Sequence, residues 1–387
     1  MSLNRRNPVS RMLAAGLRAA ILGAVLPLIA AAPPPAAAAD LVYGSWLPAR
    51  EYMNANVMPG VFEQIEKETK GATKWKLVPG GQLADGRATF AAIQDNLMQA
   101  GIAIPVYVPN IVPSINVLYS TVVFGDDVVA ATGAVLETMT LHCPTCLEDA
   151  RKINSVPLGG WVAAPYQLLC REPIKTVADL KGKRIRALGG GAEMLKSAGA
   201  VPVGGTLTEA LNLLQRGGLE CVLGAADWLR AFGYADFTKF VTEHPLGMTG
   251  PAIGFMLNRE TWNKFTPEQK QAHLRAAARQ SAETAIGSFI VSNAAVLEDA
   301  IKTKGVTVVR TGKDFEQLTL NYKKGERELI IRQHQQFGVK DAGAIMDAYA
   351  KSLEKWQRLS PDIGRDPKKF TDAIMREVYS KADPGKL

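Results

Sequence analysis

Pro267–Lys304 runs for about 37 residues in helix formers without an internal proline, so a continuous helix there would reach roughly 55 Å. That is longer than one lobe, so the predicted helix most simply braces two lobes, with Gly287 as its only weak point. Ahead of it the pattern alternates: 41–45 reads as a strand, 54–69 as a helix, 73–78 as a strand, 87–96 as a helix and 102–106 as a buried strand. Such alternation predicts an α/β protein with a parallel sheet covered on both faces. Two more amphipathic helices are expected at 323–337 and 342–359.

The first 39 residues hold Arg5, Arg6, Arg11 and Arg18 and no acids, followed by an apolar run at 19–32 and four alanines before Asp40. This reads as a secretory signal peptide cleaved near Ala39, because the apolar run is about 14 residues long, contains Pro27 and falls short of a membrane span. Arg5-Arg6 lacks the apolar residues that follow a twin-arginine signal, so ordinary secretion to the periplasm is expected. Cleavage removes four arginines and takes the formal charge from +8 to +4. That charge is too modest and dispersed for a nucleic-acid partner.

An anion site is outlined at 179–199. Residues 183–187 alternate as a strand with Arg184 and Arg186 on one face, Gly189, Gly190 and Gly191 allow a sharp turn, and 192–198 reads as a short helix stopped at Gly199. A helix N-terminus offers free N–H groups and Arg186 a rigid fork of donors, both suited to a carboxylate or phosphate outside the carboxyl end of a strand. An arginine that merely solvates a surface strand end would read the same way. Next, Thr206 and Glu209 are spaced as a capping box, 207–216 forms one helix and Gly217 ends it.

Residues 179–221 resemble the core of the solute-binding proteins of tripartite ATP-independent periplasmic (TRAP) transporters, of the C4-dicarboxylate type. Their pattern is a D-L-K-G-x-x-x-R strand, a short helix, a G-A-x-P-V turn, an S/T-E-x-x-x-x-L-Q-x-G helix and a strand beginning D-G; here Glu220-Cys221 replaces the last. VPGGQLADGR at 78–87 is similar to the family's P-x-G-Q-L-x-x-x-R segment, and TWNKFTPEQKQAHLRAAAR at 261–279 to the opening of its long helix. The resemblance implies a two-lobed periplasmic binding fold of type II with a hinge between lobes. The expected division is lobe one at 40–162 with about 250–305 returning to it, and lobe two at 163–249 with about 306–387 packing on it. It also implies that Arg186 holds a substrate carboxylate and that a membrane permease receives the substrate.

Several family contacts are missing. Tyr166 stands where many members carry a second basic contact, the asparagine before the long helix has no match at 244–254, and the D-G-x-E/Q-N run after Cys221 is absent. Aromatic residues take their place: Tyr43 and Trp46 follow the first strand, Trp161 and Tyr166 lie near the lobe crossing, and Trp228 follows the strand after Cys221. With Arg186 and Arg87 these are the candidate ligand contacts, and they suit a less polar organic acid better than a hydroxyl-covered one. Each aromatic could equally pack in the core, Arg87 could be a solvated helix-start residue, and Glu209 reads as a helix cap.

The cysteines carry the main alternative, a periplasmic thiol oxidoreductase or metal-handling protein using Cys143 and Cys146. Four cysteines allow three pairings that the sequence does not choose among. The expected set is Cys143 with Cys146 as a local staple and Cys170 with Cys221, which lie in or beside strands of the second lobe. A redox pair needs a helix N-terminus to lower a thiol pKa, whereas 133–141 predicts a helix that ends at the motif. Zinc would need His142, or Cys170 and Cys221, brought to the pair. His244, His273 and His334 read as loop or helix residues, and no G-x-S-x-G, phosphate-loop or H-E-x-x-H motif occurs. The chain therefore reads as a binder without a cofactor, a monomer or weak dimer that serves a TRAP permease. A binding protein serving a sensor or an enzyme complex is a third possibility.

Overall fold

The computed structural model describes residues 40–122, 127–163 and 165–387. The signal-peptide reading at 1–39 lies outside them.

Two mixed sheets form the frame. The first has the order β2-β1-β3-β10-β4, built from β1 (Leu41–Gly44), β2 (Trp75–Val78), β3 (Ala100–Ala103), β4 (Ser155–Leu158) and β10 (Ile253–Asn258). The second has the order β11-β9-β5-β8-β6-β7, from β5 (Gln167–Cys170), β6 (Arg184–Arg186), β7 (Val201–Val203), β8 (Cys221–Gly224), β9 (Phe240–Thr242) and β11 (Thr307–Val309). Central strands are mostly apolar, β10 and β8 being buried along their whole length because helices cover both faces.

The sheets are not all parallel, as the alternation had suggested. β10 runs antiparallel to β3 and β4, and β5 antiparallel to β8 and β9. These are the strands entered directly after the chain crosses between sheets, at 159–166 and 246–252. A chain arriving from the cleft runs away from it, whereas the other strands run towards it.

The two crossing segments pair with each other. Trp161 bridges Ala252, and Ala163 N donates to Thr249 O at 3.1 Å. Gly159 and Gly160 leave β4 with φ of +62° and +154°, and their N–H groups donate to Tyr379 Oη at 2.8 Å and Ser281 Oγ at 2.9 Å. Side chains at these sharp bends would be strained, and a Cβ on Gly160 would meet the Ala252 carbonyl at 2.6 Å.

Pro267–Lys304 is one uninterrupted helical run, capped by a Thr266–Gln269 box. Its first part packs on the helix Met58–Glu68 over the first sheet, and its last part on Trp228–Ala231 beside the second. The helix thus braces both sheets. Gly287 does not break it: Thr284–Ser292 widens into a π-helical stretch, where a Cβ on Gly287 would lie 2.4 Å from the Tyr52 ring.

The C-terminal segment divides differently from the expected packing on the second lobe. β11 joins the second sheet and Lys313–Gln335 leans on Gly189–Ser197 beside it, but Ala342–Ile363 covers Val128–Glu137 and Pro367–Ile374 packs on the brace helix. The reason is apolar demand. Val128–Glu137 is buried at every position, and Trp356 seats on Gly133 while its Nε1 donates to Glu137 Oε2 at 2.7 Å.

Candidate ligand-binding site

Strand ends converge on a cavity between the sheets. From the first sheet, the segment after β1 supplies Trp46, Leu47 and Glu51, and the segment after β3 supplies Ile104 and Tyr107. From the second come Arg186 at the end of β6, Leu207 at a helix start, and Trp228 and Phe232 after β8. The crossing segments contribute Trp161, Ala163, Tyr166 and Thr249, and the π-helical stretch of the brace contributes Phe289. All three connections between the sheets therefore border one space, outside the carboxyl ends of the strands.

The wall is aromatic. Tyr166 and Trp228 lie with ring centroids 5.3 Å apart, Trp46 and Tyr107 at 5.5 Å, Trp46 and Phe232 at 6.4 Å, and Trp161 and Phe289 at 6.4 Å. Within that wall sits one cation. Arg186 is only 4 % exposed; its Nε donates to Gly205 O at 3.0 Å and its guanidinium meets the Tyr107 hydroxyl. No described carboxylate lies within 4.0 Å of it. Burial raises the hydroxyl pKa of Tyr107, Tyr119 and Tyr166, a shift opposed by the nearby Arg186 charge. These phenols stay neutral, so they solvate the guanidinium without cancelling its charge.

Arg184 and Arg186 part company although they share a strand face. Arg184 lies at the outer end of β6 and pairs with Glu220, whereas Arg186 lies at the cleft end. The helix Gly189–Ser197 opens on its three glycines as expected, Gly189 having φ +53°. Its N-terminus is closely abutted by main chain, since a Cβ on Gly190 would sit 2.3 Å from the Ser120 carbonyl oxygen. Arg186 is therefore the cation that borders the cavity.

Two sequence candidates stand outside the cavity. Tyr43 is fully buried in the first lobe's core, between Phe62 and Phe255, and its hydroxyl donates to the Gly254 carbonyl. Arg87 is about half exposed and ties the lobes together, reaching Glu209 at 3.3 Å and donating to Tyr107 O at 3.0 Å. Glu209 itself closes the capping box with Thr206. Trp46, Trp161, Tyr166, Trp228 and Arg186 are brought together. Sequence reasoning missed Tyr107, Tyr119, Phe232, Phe289 and Glu51.

Glu51 is the second ionisable group of the wall. It is 5 % exposed, and its carboxyl accepts from the backbone N–H groups of Tyr52, Met53 and Asn54, the Met53 bond being 2.9 Å. Burial, with the Asp227 charge adding to it, pushes its pKa up to about 8. No described cation lies within 4.0 Å of it.

The cysteines form Cys143–Cys146 and Cys170–Cys221, the latter joining adjacent positions of β5 and β8. Contrary to expectation, Cys143 caps the start of the helix Pro144–Lys152: a π-helical turn ends at His142 and Pro144 begins a new helix. Both sulfurs' residues are at most 1 % exposed, which closes them to an attacking thiolate. His142 faces Glu137 at 3.4 Å, and no group of three metal-ligating side chains occurs among the described residues.

Residues 58–320, well over half the chain, match bacterial extracellular solute-binding protein, family 7. The chain belongs to this family. A curated family-type relative, a solute-binding protein of Albidiferax ferrireducens, is 21 % identical over 302 residues, covering 77 % of this chain and 76 % of its own. Among solved structures, a marine metagenome TRAP solute-binding protein specific for aromatic acid ligands, in complex with 3-hydroxybenzoate, superposes with a TM-score of 0.72 at 18 % identity, over 82 % of this chain and 98 % of its own. A TRAP protein from Sulfitobacter with bound β-D-galacturonate superposes at 0.65 and 16 % identity, over 79 % and 98 %. One fold thus holds both an aromatic acid and a sugar acid.

Proposed function

We propose that this protein captures a small monocarboxylate with an aromatic or aliphatic body in the periplasm and delivers it to a TRAP-type membrane permease. The observation that carries the reading is Arg186, a buried guanidinium without a counter-ion among the described residues, in a cavity walled by aromatic rings. A buried charge is retained at a cost of several kcal/mol unless something pairs with it, and a ligand carboxylate placed there would form two parallel charge-assisted bonds. The wall supports an apolar body over a sugar acid, since each buried hydroxyl without a partner costs roughly 1–3 kcal/mol.

Closure over the ligand is the proposed working motion. Contacts from both sheets and from the crossing segments shift the population towards the closed form. The test is calorimetry and native mass spectrometry with aromatic acids, keto acids, dicarboxylates and sugar acids, together with the amide of the best acid. One monocarboxylate per chain, bound with quenched or shifted tryptophan fluorescence, is expected, and its amide should bind far more weakly. Sugar acids binding tightest, or an amide equal to its acid, would overturn the reading.

A further inference from the structure

The wall has a second polar pole. Glu51 and Trp46 lie five residues apart on the segment leaving β1, and both line the cavity that Arg186 faces from the other sheet. Each is incompletely served. Trp46 Nε1 is buried without a hydrogen-bond partner, although the residue is 6 % exposed. Glu51 is a buried carboxyl whose partners are backbone N–H groups and which has no cation within 4.0 Å among the described residues. An indole N–H can only donate, so whatever fills this end must accept from it.

We propose that Trp46 and Glu51 form a specificity pole that selects, among aromatic monocarboxylates, those carrying a ring hydroxyl. The proposal rests on the anion-binding reading of Arg186 and deepens it. A hydroxyl can accept from the Trp46 N–H while sharing a hydrogen bond with Glu51, whether that carboxyl is protonated or ionised. An ammonium group cannot accept, so it would leave the indole orphaned. It would also call for an ionised Glu51 beside Asp227, a charge that burial already opposes. Methyl or hydrogen at the same ring position would leave both protein groups unserved, which is how a site built for a hydroxyl rejects the analogue that lacks it.

Isothermal titration of benzoate, its three monohydroxy isomers, the matching methoxy acids and the aminomethyl acids tests the pole. In the native sequence one hydroxy isomer should bind about tenfold tighter than benzoate, the ratio expected of one to two well-made hydrogen bonds. Glu51→Leu should reduce that ratio to near one; because the ratio compares two ligands on the same protein, a purely structural loss, which weakens both acids alike, would leave it unchanged. Because Glu51 also caps a helix, Trp46→Phe gives an independent variant: it removes only the donor and should lower the hydroxyl ratio likewise. Glu51→Gln, which keeps a donor and an acceptor, should retain it. An unchanged ratio in both Glu51→Leu and Trp46→Phe, or an aminomethyl acid binding tightest, would overturn the pole while leaving Arg186's role standing. Failure of every acid in the panel to bind would overturn the anion reading and this one with it.

Discussion

Replacing Arg186 separates a binding residue from a structural one. Arg186 is 4 % exposed, and its guanidinium keeps one bond to Gly205 O and one contact with the Tyr107 hydroxyl. Arg186→Met keeps most of the volume, forfeits those two contacts at about 1 kcal/mol each, and removes the several-kcal/mol desolvation of a buried cation. The two effects nearly cancel, so the empty variant should melt close to the parent or slightly above it. With ligand the balance changes, because truncating one partner of a buried, hydrogen-bonded charge pair costs about 2–5 kcal/mol, roughly 30- to 5,000-fold in Kd. For an acid bound at about 1 μM and supplied at 1 mM, linkage stabilises the native protein by about 4 kcal/mol, and a thousandfold loss leaves only about 0.4. Thermal melts of both proteins with and without the acid, alongside calorimetry, read this directly. Equal ligand-induced stabilisation of variant and parent would refute the assignment. So would an empty variant that melts many degrees lower, since that would make Arg186 a structural residue.

Removing Cys170–Cys221, which closes a loop of 51 residues, should cost about 4 kcal/mol by chain entropy, against much less for Cys143–Cys146 at a separation of 3; urea titration of Cys170→Ala/Cys221→Ala checks it, and denaturing alkylation should find no free thiol in the native sequence. Tyr43→Phe should lower stability by about 1 kcal/mol through the lost bond to Gly254 yet leave Kd unchanged, whereas Trp228→Ala should weaken ligand binding; a changed Kd in Tyr43→Phe would return that residue to the site. Two buried groups set opposite pH limbs. His273, which accepts from Trp75 Nε1 at 3.0 Å, is held by burial near 4 against an ordinary 6.5, so the unfolded chain binds the extra proton and stability is lost, by at most about 3 kcal/mol, as pH falls from 6.5 to 4. Glu51, near 8 against 4.5 through burial and Asp227, binds its proton more tightly when folded, so stability is lost, by at most about 5 kcal/mol, as pH rises from 4.5 to 8. Glu51→Gln should flatten that alkaline limb, and a stability curve parallel to the parent's would contradict the assignment.

What could be read in advance was local. The three-glycine turn, the Thr206–Glu209 box and the brace helix depend on residues a few positions apart, and the structure keeps all three. Strand direction was not local: β5 and β10 look like any other strand, and only the crossing into each sheet reverses them. Tyr43 went astray because both faces of its sheet are covered, so alternation could not say whether it faced the core helices or the cleft. Phe289 escaped notice because it sits on a π-helical stretch, where a 3.6-residue period points to the wrong face. For the cysteine motif a signal was present: Pro144 directly after Cys143 marks a helix start, which places Cys143 at a helix N-terminus.

The wall residues share a different property, one that sequence cannot display. Two buried aromatics away from the cavity have their partners within the fold: Tyr43 has its acceptor and Trp75 has His273. Around the cavity, among the described residues, requirements stay open: a cation without an anion at Arg186, an indole N–H without an acceptor at Trp46, and an acid without a cation at Glu51. On the proposed reading, these groups along one aromatic space call for a complement: a carboxylate for Arg186, a ring, and an atom that can accept from Trp46 and share a hydrogen bond with Glu51. On this reading each of these groups disfavours lobe closure until a ligand pairs with it, and a ligand touching both lobes restores the balance. Selectivity and closure therefore have the same origin, and a variant that satisfies a pole internally should close without ligand and bind less. Glu51→Leu/Arg186→Met is that variant: it should show the closed-form tryptophan fluorescence when empty and no further change with any acid, whereas an open-form spectrum would break the link.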